Sequence, residues 1–126
     1  MNLNQVTVPS LDIEKAIGFY KTLGLKLIVE ALPRYVRFEC ADGNSTFSIH
    51  HVNELSKEQG ITIYFEDDNL DELVIKLQQQ GIIFESLPED KPWLWREAHL
   101  KDLDGNHIIL YKAGKNRKNP PWRIKI

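Results

Sequence analysis

The stretch Lys101-Asp102-Leu103-Asp104-Gly105-Asn106, followed by His107-Ile108-Ile109-Leu110-Tyr111, reads as a tight turn feeding a strand. It has an echo. Asp42-Gly43-Asn44 precedes Thr46-Phe47-Ser48-Ile49-His50-His51, a second turn feeding a second strand. Upstream of each turn lie a helical pattern, a glycine and two further extended segments. Gly24 and Gly81 stand 57 positions apart, and Gly43 and Gly105 stand 62 apart. The chain therefore says one thing twice, with about five extra residues in the second copy. Those five are expected in a loop over Pro88–Pro92.

Working outward, Leu3–Val8 alternates and is rich in β-branched residues, so it reads as a strand that Pro9-Ser10 breaks. Ser10 or Asp12 then caps a helix whose apolar face is Ile13, Ala16, Ile17 and Tyr20. Strands follow over 25–30, 35–40 and 46–52, with Leu32-Pro33 as a turn. Polar residues 53–59 link the copies. The second copy reads as a strand over 61–66, an Asp67-Asp68-Asn69 cap with its negative charge, and a helix with the stripe Leu70, Leu73, Val74 and Leu77. Strands over 82–86, 94–100 and 106–111 complete it. The pattern is β-α-β-β-β twice, an α+β fold whose hairpin-linked strands must be antiparallel. The expected architecture is two tandem βαβββ modules, about 1–52 and 60–112, forming one domain with a curved mixed sheet around a cavity and a basic tail at 113–126.

The 126 residues suffice for one compact core. The net charge of −2 gives no whole-chain field towards nucleic acid or membrane. The charge is uneven. Lys112, Lys115, Arg117, Lys118, Arg123 and Lys125 carry no acid among them, which leaves ten basic against 18 acidic residues in 1–111. That tail is expected to lie solvated on its own acidic body or a partner's, in preference to nucleic acid. Cys40 is the single cysteine, so no intrachain disulfide forms, and its setting is that of a packed small hydrophobe. The first five residues lack the basic and apolar regions of a signal peptide, and no apolar run approaches membrane-spanning length. A cytoplasmic location is the expectation.

Three segments together resemble the vicinal oxygen chelate superfamily, which includes glyoxalase I, bleomycin resistance proteins and extradiol dioxygenases. They are Gln5-Val6-Thr7-Val8-Pro9, Phe19-Tyr20-Lys21-Thr22-Leu23-Gly24-Leu25 and Lys101-Asp102-Leu103-Asp104-Gly105-Asn106. The resemblance covers about Leu3 to Lys112 and implies paired βαβββ units, commonly in a homodimer. It also implies where metal-using members place their ligands. Those positions fall on Gln5, Ser48, Ile61 and Ile109. Isoleucine donates nothing to a metal, and hard divalent ions want converging oxygen and imidazole donors. The expectation is a protein with no metal and no cofactor, closer to bleomycin-binding members, that holds a small aromatic or anionic molecule.

The candidate ligand contacts come from alternation along strands. Gln5 and Thr7 share one face, as do Thr46, Ser48 and His50; Arg37 shares a face with Tyr35 and Glu39 and is either a clamp for an anion or the partner of a neighbouring carboxylate. Trp93 and Trp95 follow the proline-containing loop, which is read as a lid over a flat ligand, and Tyr111 ends the last strand. Trp95, Glu97 and His99 share a face and read as a polar, aromatic wall. Glu97 and His99 would also start a displaced metal site if His50 or His107 joined them, which is the alternative reading of a lyase, isomerase or dioxygenase. Asp102 and Asp104 read as turn-formers rather than acid–base groups.

Overall fold

The computed structural model describes residues 2–58 and 60–124. Among these residues the chain runs β1 (Gln5–Ser10), α1 (Ile13–Thr22), β2 (Lys26–Ala31), β3 (Tyr35–Glu39), β4 (Thr46–His51), β5 (Thr62–Glu66), α2 (Leu70–Gln79), β6 (Ser86–Asp90), β7 (Arg96–Lys101) and β8 (His107–Lys112), with a 3-10 turn at Gly114–Asn116. This is βαβββ twice, an α+β fold. The strands form two four-stranded mixed sheets, in the orders β1-β4-β3-β2 and β5-β8-β7-β6. The helix carries the chain away from its first strand, so β1 pairs in parallel with β4, and β5 with β8, while the hairpin pairs are antiparallel. The residues fall into two compact units: unit 1 up to Gly60 with Asp102–Asn106, and unit 2 Ile61–Lys101 with the residues from His107 onward.

In unit 1 the helical spacing does its expected work. Ile13, Ala16 and Tyr20 are buried on α1, together with Val8, Val36, Phe38, Phe47 and Ile49 of the sheet. Three aromatic rings meet there, with Tyr20 4.6 Å from Phe47 and 6.1 Å from Phe38 between centroids. Asp12, not Ser10, caps the helix, accepting from the Lys15 N–H at 3.2 Å. Gly24 ends it at φ +103°, where the Leu25 N–H reaches back to the Tyr20 carbonyl. Gly81 does the same for α2 at φ +93°. The α2 stripe Leu70, Val74 and Leu77 is buried, as are Ile63, Ala98, Leu100, Ile108 and Leu110 of the second sheet. Asn69 makes no side-chain cap. Instead, Asp67 accepts from the Asn69 N–H, and Asp71 and Glu72 supply the acidic first turn.

Two strand boundaries depart from expectation for one reason. β1 continues through Pro9 to Ser10, and β6 runs through Pro88 over residues expected to be loop. Both are edge strands, where a missing backbone N–H breaks no ladder. The five extra residues of the second copy accordingly lie elsewhere. Residues 82–85 stand where unit 1 has Leu25 alone, and Lys91–Trp95 stand where it has Leu32–Arg34.

The Asp104-Gly105 turn does more than turn. Asp102 is buried, accepts from the Asp104 and Asn106 N–H groups and takes the Tyr20 hydroxyl at 2.5 Å. Asp104 accepts from the Leu11 N–H, and the Asn106 amide donates to the Pro9 carbonyl. Both aspartates are turn-formers, and both also tie the turn to the entry of α1. Burial, and then the neighbouring Asp102, push the Tyr20 hydroxyl far above the usual tyrosine range.

Candidate functional site

Each helix covers one face of its own sheet, and alternation puts the candidate side chains on the other. In unit 1 that face is polar. The register sets Thr7, Ser48 and Arg37 in one row, and Gln5, Thr46 and Glu39 in the next. The Gln5 amide oxygen accepts from the Thr46 hydroxyl at 2.8 Å. Ser48 is fully buried and bonded to the Tyr35 hydroxyl at 2.7 Å; Arg37 donates its Nε to the same hydroxyl at 3.0 Å. Glu39 reaches Lys26 instead of Arg37. The guanidinium lies over the Tyr35 ring, 5.5 Å from its centroid, and its two Nη groups have no hydrogen-bond partner among the described residues, leaving a planar fork. His50 and Gln5 are exposed at opposite ends of the face.

In unit 2 the corresponding face is aromatic and titratable. Trp95 stacks on Tyr111 with centroids 4.6 Å apart and planes 18° apart; Tyr64 meets both edge-on, at 6.0 and 5.7 Å. Tyr111 is buried beneath them while Tyr64 is half-exposed. The Trp95 indole donates to the Asn116 carbonyl, and Glu66 accepts from the Ala113 and Gly114 N–H groups and lies 3.8 Å from Arg117. The start of the basic tail is thus held by an acid of its own body. Burial, followed by Glu66, raises the Tyr111 hydroxyl above its usual value.

Beside the rings runs a chain of hydrogen bonds. Trp93 donates to Glu97 at 2.5 Å, Glu97 meets His99 at 2.8 Å, and His99 meets His107 at 3.1 Å. Glu97 is 3% exposed. The lid expected around Pro88–Pro92 is replaced by a short turn over Lys91–Trp95. Backbone bonds between Lys91 and Trp95 and between Leu94 and Lys91 close it. Leu94 sits there at φ +67°, a left-handed conformation that costs a branched residue about 1 kcal/mol. That strained residue sets the two tryptophans on either side of it.

The structure stacks Trp95 on Tyr111 in unit 2, sets Trp93 against Glu97, and brings Gln5, Thr7, Arg37, Ser48 and His50 onto one face in unit 1. Sequence reasoning missed Tyr64 and Glu66. The alternation Thr62, Tyr64, Glu66 against the buried Ile63 was the available signal.

The family's metal positions do not fit a metal. Gln5 pairs with Thr46, two residues before Ser48, and Thr62 pairs with His107, two residues before Ile109. The position equivalent to Gln5 is therefore Thr62, one residue from the expected Ile61. The resulting set of Gln5, Ser48, Thr62 and Ile109 contains neither carboxylate nor imidazole. His99 has both ring nitrogens engaged. Among the described residues no three His, Cys, Asp or Glu side chains are grouped to hold a metal ion.

Comparison with known proteins agrees with this architecture. A structure titled a glyoxalase/bleomycin resistance protein/dioxygenase from Nocardioides superposes with a TM-score of 0.79 at 19% identity, over 99% of this chain and 90% of that one. A bleomycin-binding protein complexed with bleomycin superposes with a TM-score of 0.74 at 19% identity, over 89% and 98%. In sequence, the uncharacterized protein YraH of Bacillus subtilis strain 168 is 27% identical over 127 residues, spanning 89% of this chain and 98% of that protein. The family model that matches, over residues 2–110, is that of the Glyoxalase/Bleomycin resistance protein/Dioxygenase superfamily, and the chain belongs to that superfamily.

Proposed function

We propose that this protein binds a small, flat aromatic or anionic molecule on the helix-free faces of its sheets, without a metal. The observation that carries the reading is the Tyr64–Trp95–Tyr111 cluster. Aromatic side chains normally earn their place in a core, yet these three lie on the face opposite α2, with Tyr64 half in solvent. Arg37 supports the anionic part of the reading, because a guanidinium fork with free Nη groups suits a carboxylate or phosphate. The bleomycin-binding relative is a precedent for ligand capture on this fold. On this reading Gln5, Thr7, Ser48 and His50 supply polar contacts on the face of unit 1, and Trp93 closes one side of the face of unit 2. The two modules act as one domain of a cytoplasmic homodimer. The family resemblance supports the dimer. Among the described residues no helix is long and apolar enough to cross a membrane.

The test is a titration of flat aromatic acids followed by tryptophan fluorescence and thermal shift, alongside calorimetry with Ni²⁺, Zn²⁺, Mn²⁺ and Fe²⁺. The expected result is saturable quenching with a stabilising shift, and no metal affinity tighter than roughly micromolar. Trp95→Ala should weaken binding at least about tenfold, the order of one lost stacking contact. One tightly held metal per subunit, together with turnover, would overturn the reading.

A further inference from the structure

A surface for stacking a ring does not require the Trp93–Glu97–His99–His107 chain, and the order of its protons follows from its geometry. The Trp93 indole can only donate, so it fixes one Glu97 oxygen as an acceptor at 2.5 Å. With the carboxylate ionised the other oxygen also accepts, and His99 must donate from Nε2 at 2.8 Å. The His99 Nδ1 is then a lone pair and takes the Nε2 proton of His107 at 3.1 Å. The Nδ1 of half-buried His107 is left bare, and it has no partner among the described residues. The other groups facing His107 are Lys101 across the ladder on β7 and Thr62 on β5. Lys101 leans away to Glu85, at 3.6 Å. On β8, His107 and Tyr111 flank Ile109, and Ile109 pairs with Tyr64. Two residues along a strand span about 7 Å, so a ring resting on Tyr64 lies within one such step of His107.

We infer that His107 Nδ1 accepts the proton of a weakly acidic O–H or N–H on the bound ring, with His99 and Glu97 as positioning residues, so that the ligand is held as its anion. The inference rests on the binding reading above. The step balances without a co-reactant. The ligand O–H bond breaks and leaves its electron pair on oxygen, and an N–H bond forms at His107 Nδ1. The His107 Nε2 proton then shifts to His99 Nδ1. The positive charge comes to rest beside the buried Glu97 carboxylate, where an opposite charge favours it.

4-Nitrophenol tests this, because its phenol and phenolate absorb differently and its binding is read separately by tryptophan quenching. The expected result is quenching together with phenolate formation about one pH unit below the free probe, a tenfold gain. Glu97→Gln keeps an acceptor for Trp93, but its amide donates to His99 and reverses the order of protons. His107→Gln removes the acceptor. Both variants should still quench, with circular dichroism unchanged, and both should lose most of that tenfold. A quenched probe that titrates like the free one, or a shift that survives His107→Gln, overturns the inference and leaves the binding reading standing. No quenching in the wild-type protein overturns both.

Discussion

The two units share one topology and place their three-ring aromatic clusters on opposite faces. In unit 1, Tyr20, Phe38 and Phe47 lie under the helix and the helix-free face is polar, with the Tyr35 hydroxyl bonded to Ser48 and Arg37. In unit 2 the helix side is mostly aliphatic, with Phe65 beside Leu70, Val74, Leu77, Leu100, Ile108 and Leu110, and the rings of Tyr64, Trp95 and Tyr111 are on the other face. A βαβββ unit needs a filled apolar layer beneath its helix and evidently accepts either kind of residue there. The rings away from that layer form a second, smaller cluster, in which Tyr111 is buried with Ile109 and Ala113 and Trp95 packs against them. That difference separates aromatic residues that fill the layer under a helix from those outside it, on which the proposed binding reading rests.

The contrast breaks first at Phe47. It is 1% exposed, and Phe47→Ala should cost about 3–5 kcal/mol, read as a lower midpoint in denaturant. Trp95→Ala, on the other face, should cost no more than about 1–2 kcal/mol while removing ligand quenching. Equal stability losses would erase the distinction between the faces.

Tyr20 sharpens the comparison through pH. Its hydroxyl ionises far above 10 in the folded chain and near 10 when unfolded. Above pH 10 the unfolded state gives up this proton while the native state keeps it. Stability is therefore whole below about pH 10 and falls as pH rises, by at most about 1.4 kcal/mol per unit. Tyr20→Phe should flatten this alkaline slope. It should also lower stability at neutral pH by about 1 kcal/mol, since Asp102 loses a donor but keeps two backbone N–H groups and the Asn106 amide. Tyr111→Phe should change the alkaline slope less.

The smallest effect belongs to the exposed Arg96–Asp71 pair, at 2.8 Å. The Arg96 hydrogen bond lowers the Asp71 carboxyl below its ordinary 3.8. Its contribution is present above that value and fades as pH falls through the lower folded one. Asp71→Asn should slightly reduce stability at neutral pH and slightly weaken the dependence on acid, and salt should mask both changes.

Much of the fold was legible because its signals are local. The stripes Ile13, Ala16, Tyr20 and Leu70, Val74, Leu77, the two glycine stops and the two Asp-Gly turns each declare an element within a few residues. The prolines at 9 and 88 misled because their effect depends on which strand is an edge, a property of the assembled sheet. The candidate site was legible as faces. Trp95, Glu97 and His99 share one by simple alternation. The contacts across strands were not. That Trp95 stacks on Tyr111, that His99 joins His107, and that Asp102 holds Tyr20 all depend on register and packing between residues 8 to 82 positions apart. The extra residues of the second copy also had no local mark of where they belong.

The most direct test follows the indole N–H resonances of Trp93, Trp95 and Trp122 in ¹H–¹⁵N spectra during titration with 4-nitrophenol. The account predicts saturable shifts at Trp93 and Trp95 and none at Trp122. Shifts confined to Trp122, or none at saturating probe, would contradict the claim that the aromatic face of unit 2 is the binding surface.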